Sequence, residues 1–188
     1  MKRLALPALL LLILGGCNVD VEKKVEVEEP VALYDYDVEE KIESMGIELT
    51  EPPAPVANYV NSVRTGNLVF MAGKGPNKPE GGYVVGKVGV DLSIEEGYEA
   101  ARLTAIAQLS ALKAEIKDLN KVVRIVKVLG MVNAAEDFGN HPEVINGFSD
   151  TMVEVFGERG KHARAAVGMG SLPRGIAVEI EMIVEVQD

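Results

Sequence analysis

The stretch Val178-Glu179-Ile180-Glu181-Met182-Ile183-Val184-Glu185 constrains the fold more than any other. Val178, Ile180, Met182 and Val184 recur at every second position, the period of a strand with one buried face. Such a strand needs helices over its apolar side, while Glu179, Glu181 and Glu185 share the other. Upstream, Ala163 to Met169 reads as a strand of small residues on which Arg164, Ala166 and Gly168 share a face. Leu172-Pro173 falls between the two. Taken as a hairpin centred there, the pair sets Arg164 opposite Glu181 and Ala166 opposite Glu179, with Arg164 and Glu179 as diagonal neighbours. A slip of one residue would put those two on opposite faces. Arginine and glutamate over small residues suit a pocket for a small carboxylic acid with a water beside it. The same pattern equally describes a solvated polar face with cross-strand ion pairs.

The rest of the body supplies the cover. Val38, Ile42 and Met45 recur at helical spacing and Gly46 stops the run. Pro52, Pro53 and Pro55 make a stiff connector. Val56 to Val63 and Asn67 to Ala72 read as a hairpin with Thr65-Gly66-Asn67 at its turn. After the Gly/Pro-rich loop 73–82, Tyr83 to Val88 reads as a short third strand. Ser93 followed three residues later by Glu96 has the form of a capping box, opening an Ala-rich helix to about Lys117. Val122 to Val132 is a β-branched, buried strand. His141-Pro142-Glu143 opens a second helix that ends near Gly157, and strands 163–169 and 176–186 close the chain. The order predicts an α+β domain, a mixed β-sheet with two helices packed on one face.

Ahead of this body lies a segment of a different kind. Lys2 and Arg3 precede the apolar run Leu4 to Leu14, which is too short to span a bilayer, where about 20 residues are needed. Leu14-Gly15-Gly16-Cys17 follows, placing the one cysteine of the chain where the leader must end. This resembles the bacterial lipoprotein lipobox, which implies a signal peptide over 1–16, an acylated Cys17 and a lipid anchor in the membrane of the cell envelope. Asn18, where aspartate favours inner-membrane retention in the enterobacterial pattern, leans towards the outer membrane. Residues 17–37 are acidic and Pro-interrupted, the composition of a tether. The domain is then 38–188.

Charge and composition remove several functions. The 188 residues carry 19 Lys+Arg against 29 Asp+Glu, a net charge of −10. Loss of a leader containing Lys2 and Arg3 takes it to −12. Such a chain lacks the basic face of a nucleic-acid binder, and without tryptophan it has few stacking platforms. Two histidines and one cysteine leave little for a metal site. His162, two residues before Arg164, is expected on the opposite face in a structural role, and His141 at a helix start.

Several of these stretches together resemble the reactive-intermediate deaminase family (the RidA/YjgF type, once labelled endoribonuclease L-PSP). They are Ala163-Arg164-Ala165-Ala166-Val167, Leu172-Pro173 and Glu179-Ile180-Glu181. Upstream, Asn58-Tyr59-Val60 with Gly66-Asn67-Leu68-Val69-Phe70 looks like the family's first hairpin. Ala72-Gly73-Lys74-Gly75-Pro76 looks like its Ser-Gly-Gln-x-Pro loop, and Val144-Ile145-Asn146-Gly147 like the start of its second helix. The resemblance covers about residues 38–187. It implies a chorismate-mutase-like fold, a homotrimer with three sheets around a central barrel, and clefts between subunits. It implies hydrolysis of 2-imino acids to 2-oxo acids and ammonia, without a metal or organic cofactor.

By the same resemblance, Arg164 holds the substrate carboxylate and Glu179 positions and polarises the attacking water. Gly73 and Ala166 bring backbone close to the ligand, and Tyr59 and Asn146 line the pocket. Ala166 stands where the family often has cysteine, and Lys74 where it has glutamine. A lipid anchor is unusual for a family that acts mainly inside cells. The alternative expectation is a non-catalytic trimer that binds small carboxylates or a protein partner at the envelope.

Overall fold

The computed structural model describes residues 32–187, and the leader, Cys17 and Asn18 lie outside them. In chain order the elements are α1 (Val38–Ser44), β1 (Ser62–Thr65), β2 (Leu68–Lys74), α2 (Ile94–Ile116), β3 (Val122–Asn133), α3 (His141–Phe156), β4 (Ala163–Met169) and β5 (Val178–Val186). The five strands form one mixed sheet in the order β1-β2-β5-β3-β4. Only β3 and β4 run parallel, joined by α3.

α2 starts where its sequence closes a capping box. Glu96 N–H donates to Ser93 Oγ at 3.1 Å, and Ser93 N–H donates to the Glu96 carboxylate at 2.8 Å. It ends at Lys117, whose left-handed backbone (φ 69°) turns the chain away. Its buried stripe is built from small residues, Ala100, Ala101 and Ala105 among them, with Leu109, Leu112 and Ile116. Small side chains let α2 and α3 meet backbone to backbone. A Cβ on Gly147 would lie 2.0 Å from the Tyr98 carbonyl oxygen of α2, so only glycine fits that crossing. α3 settles on the sheet by the same device, with Ile145 packed onto Gly130 of β3.

β5 behaves as its alternation dictates. Val178, Ile180, Met182, Val184 and Val186 are buried under the helices, with Glu179 half-buried and Glu181 exposed on the far face. α1, where Val38, Ile42 and Met45 recur at helical spacing, packs beside α3 and is tied to α2 by an ion pair between Glu39 and Lys113. The body holds the chain from a few residues before α1. Tyr34 Oη donates to Val122 O, Tyr36 Oη to Val155 O, and Arg159 Nε–H to Leu33 O. Residues 33–37, assigned to the tether from composition, therefore include docked chain.

Three expectations are corrected. Tyr83 to Val88 forms no strand; it makes isolated bridges, Asn77 to Tyr83 and Val85 to Ile176 among them. Positive φ at Gly81, Gly82, Gly86 and Gly89 breaks the extended run that a ladder requires. The first hairpin strand starts at Ser62, after a Pro-rich segment whose Val56 is 77% exposed. Most consequentially, β4 and β5 are not a hairpin. β3 lies between them, pairing with β4 on one side and β5 on the other. The connection 170–177 steps over the end of one strand, a lateral move of about 10 Å that eight residues span easily.

Candidate functional site

Inserting β3 separates the two residues that the hairpin reading joined. Arg164 pairs with Val128, and Val128 with Met182. Glu179 pairs with Met131. Paired residues share a face, so Arg164 looks to the helix side with Val128, whereas Glu179 looks to the open side with Met131. Two strand spacings and three residues of offset put their Cα atoms about 14 Å apart. They are not diagonal neighbours within a chain, and the predicted residues fall into two clusters.

The first cluster sits between β4 and α3. Asn146 and Ser149 lie three residues apart on one face of α3, above the edge strand. Arg164 Nη1 donates to Asn146 Oδ1 and to Ser149 Oγ, both at 2.9 Å. His162 Nε2 is 3.1 Å from the same hydroxyl, and its Nδ1 is 2.7 Å from Gly160 O. His162 thus shares the face of Arg164, as residues two apart in a strand must. The expectation that it points away is wrong. Burial pushes its imidazole below the ordinary value, and the neighbouring Arg164 charge lowers it further. Ala166, next along this face, packs against the core and leaves the β4 backbone beside Arg164 uncovered by a long side chain.

The second cluster sits where β2 meets β5. A Cβ on Gly73 would be 2.5 Å from Glu179 Oε1 and 3.1 Å from its Cγ. The glutamate therefore lies flat on the β2 backbone, in space that only glycine leaves. Burial raises the Glu179 carboxyl above the usual range, and Glu181 adds like-charge repulsion. Beside it the β2–β5 register is interrupted between Met71 and Lys74. Gln108, fully buried on α2, spans the irregularity by donating to Ala72 O at 2.9 Å and Ile180 O at 2.7 Å. Lys74 donates to Asn61 Oδ1, and burial lowers its ammonium below the usual range. Tyr59 stands 52% exposed on the segment leading into β1.

Two residues around these clusters, Gln108 and Ser149, were not singled out in the sequence. Gln108 left a trace, a glutamine inside the apolar stripe of α2. Ser149 left none, because its meeting with His162 depends on how α3 docks over β4. Among the described residues no three His, Cys, Asp or Glu side chains gather as metal ligands. A cavity of about 420 Å³ under α1, lined by Glu39, Ile42, Ile47 and Lys113 among others, shares no residue with either cluster.

Known proteins share this architecture. The family model described as YjgF/chorismate mutase-like matches residues 39–183. The chain is 39% identical over 148 residues to protein TCP17 of Trypanosoma cruzi, covering 78% of this chain and 92% of that one. It is 31% identical over 137 residues to the 2-iminobutanoate/2-iminopropanoate deaminase of Mus musculus, covering 73% and 87%. Among solved structures, the protein Atu1372 of unknown function from Agrobacterium tumefaciens superposes with a TM-score of 0.74 at 38% identity, covering 80% and 94%.

Proposed function

Because the chain belongs to the YjgF/chorismate mutase-like family, we propose that it hydrolyses small 2-imino acids to 2-oxo acids and ammonia. The observation that carries this reading is the state of Arg164. Its Nη1 is fully engaged by Asn146 and Ser149. Its Nε–H and Nη2–H make no hydrogen bond among the described residues, and they form the parallel fork that matches a carboxylate. Similarity to the mouse deaminase supports the choice of substrate class.

In this reading the substrate carboxylate docks on the Arg164 fork. Protonation of the imine nitrogen leaves the carbon electrophilic, so the remaining work is to deliver water. Glu179 accepts a proton from that water as its oxygen bonds to the imine carbon, giving a carbinolamine. Glu179 then returns the proton to nitrogen, and as the C–N bond breaks it takes the hydroxyl proton and passes it to the departing ammonia, so that the 2-oxo acid and ammonium leave. A carboxyl raised by burial is better matched to this two-way transfer than an ordinary one. Holding carboxylate and water in register supplies much of the rate.

The two clusters face opposite sides of one sheet, so a working cleft would combine Arg164 of one subunit with Gly73 and Glu179 of another. That fits the homotrimer implied by the resemblance. The open sheet face carries apolar side chains suited to burial between subunits, with Val63 56%, Phe70 42% and Val167 39% exposed. We also propose that Cys17 is acylated and anchors the trimer at the envelope, a reading that rests on the leader alone. Replacing Cys17 with serine should then move the protein from the membrane fraction to the soluble one.

The test generates 2-iminopropanoate or 2-iminobutanoate with an amino-acid oxidase and follows its loss with wild type and Arg164→Ala. The wild type should accelerate loss and the variant should not. Equal rates would end the hydrolase reading. Arg164-dependent binding of 2-oxo acids without turnover would leave a carboxylate-binding module.

A further inference from the structure

We propose that His162 is a positioning residue for Arg164, acting through the Ser149 hydroxyl to reserve the Nε–H/Nη2–H edge of the guanidinium for a carboxylate. This rests on the 2-imino acid reading above; it adds Ser149, which the sequence did not point to, and gives His162 a role on the face of Arg164 and not away from it.

Hydrogen-bond direction fixes the relay. Gly160 O is a carbonyl and can only accept, so the hydrogen of the neutral imidazole lies on Nδ1. Nε2 is then a bare acceptor, and the Ser149 hydroxyl must donate to it. That turns the oxygen lone pairs of Ser149 towards Arg164, where one receives a hydrogen of Nη1. Asn146 Oδ1 takes the other hydrogen of Nη1. An Nη carries two hydrogens, so the end of the guanidinium on that side is spent. What remains is the side-on edge, Nε–H with Nη2–H.

The far end of the relay is rigid. A Cβ on Gly160 would lie 2.1 Å from the Met152 carbonyl oxygen, so the backbone that receives His162 is pressed onto α3. The Phe148 ring meets the His162 ring edge to face, with centroids 6.3 Å apart. His162 therefore has little freedom, and it passes that constraint through one hydroxyl to the arginine. Without the imidazole acceptor, the Ser149 hydroxyl is free to turn its hydrogen towards Nη1, and the guanidinium loses one of two contacts that set its plane.

The experiment measures 2-oxobutanoate binding by calorimetry and imine turnover on the full chain. The variants are Ser149→Ala, His162→Phe, their double, His162→Gln and Arg164→Ala. His162→Phe keeps a ring against Phe148 and removes the acceptor; His162→Gln returns an acceptor oxygen. Ser149→Ala and His162→Phe should each weaken binding and raise KM about tenfold with kcat nearly unchanged. The double variant should be no worse than either single, the mark of one shared pathway. His162→Gln should recover most of the loss. Wild-type behaviour of Ser149→Ala, or multiplied effects in the double variant, would overturn the relay while Arg164-dependent turnover keeps the hydrolase reading. Absence of both Arg164-dependent binding and turnover would overturn the two together. Ser149→Ala leaves the histidine ring in place, so the relay remains testable if His162→Phe does not fold.

Discussion

Gly73 leaves Glu179 the space in which its carboxylate rests: a Cβ at position 73 would lie 2.5 Å from Oε1. The flexible end of the glutamate is the atom that must give way, so a side chain here displaces the carboxylate before it disturbs the strand. Gly73→Ala should retain its melting temperature to within a few degrees and lose about tenfold or more in imine turnover. Differential scanning fluorimetry beside the imine assay separates the two effects. Full activity in Gly73→Ala would remove Glu179 from the chemistry.

Glu179 also sets a pH dependence. Its folded-state carboxyl is raised by burial and by Glu181. The folded protein therefore holds this proton more tightly than the unfolded chain. Its contribution to stability is present below the ordinary carboxyl value near 4.5 and is lost as pH rises through the raised value. At neutral pH the ionised group opposes folding. Glu179→Gln should melt slightly higher than wild type at pH 7, and the difference should shrink towards pH 4. Solvent screening of a half-exposed group keeps the gain to a few degrees. The same variant should lose imine turnover.

Arg164 and Glu179 face opposite sides of the sheet, which makes subunit mixing decisive. Arg164→Ala and Glu179→Gln should each be inactive alone. Coexpressed in equal amounts, they should regain about a quarter of wild-type activity, because each mixed ring of three rebuilds one intact cleft. No recovery in verified mixed trimers would place the chemistry within single chains.

The α2–α3 crossing has no slack at Gly147, where the obstructing atom is the Tyr98 backbone oxygen and not a flexible side chain. Gly147→Ala should cost about 2–3 kcal/mol by forcing the helices apart. Urea denaturation would show a lower midpoint with an unchanged slope. Turnover should fall with it, since Asn146 and Ser149 ride on the same helix.

Much of the fold is legible locally. The alternation in β5 fixed which side chains are buried, and Ser93 with Glu96 marked the start of α2. Gly66 marked the hairpin turn, with Thr65 facing Leu68 across it. Arg164, Asn146, Gly73 and Glu179 were likewise legible as residues of interest through their motifs. Their grouping was not, and neither were Ser149, His162 and Gln108 as their supports.

That division has a physical cause. Periodicity, caps and turn residues act over a few positions, and the chain carries them wherever it goes. Strand order does not: β3 enters between β4 and β5 because the βαβ crossover buries α3 on Gly130, a contact between residues far apart in sequence. That single insertion turned an apparent Arg164–Glu179 pair into two clusters on opposite faces. The sequence by itself determined which strand faces are buried and which residues to propose for the chemistry. Only the tertiary structure decided which of them stand together, because that depends on long-range packing of helices on the sheet.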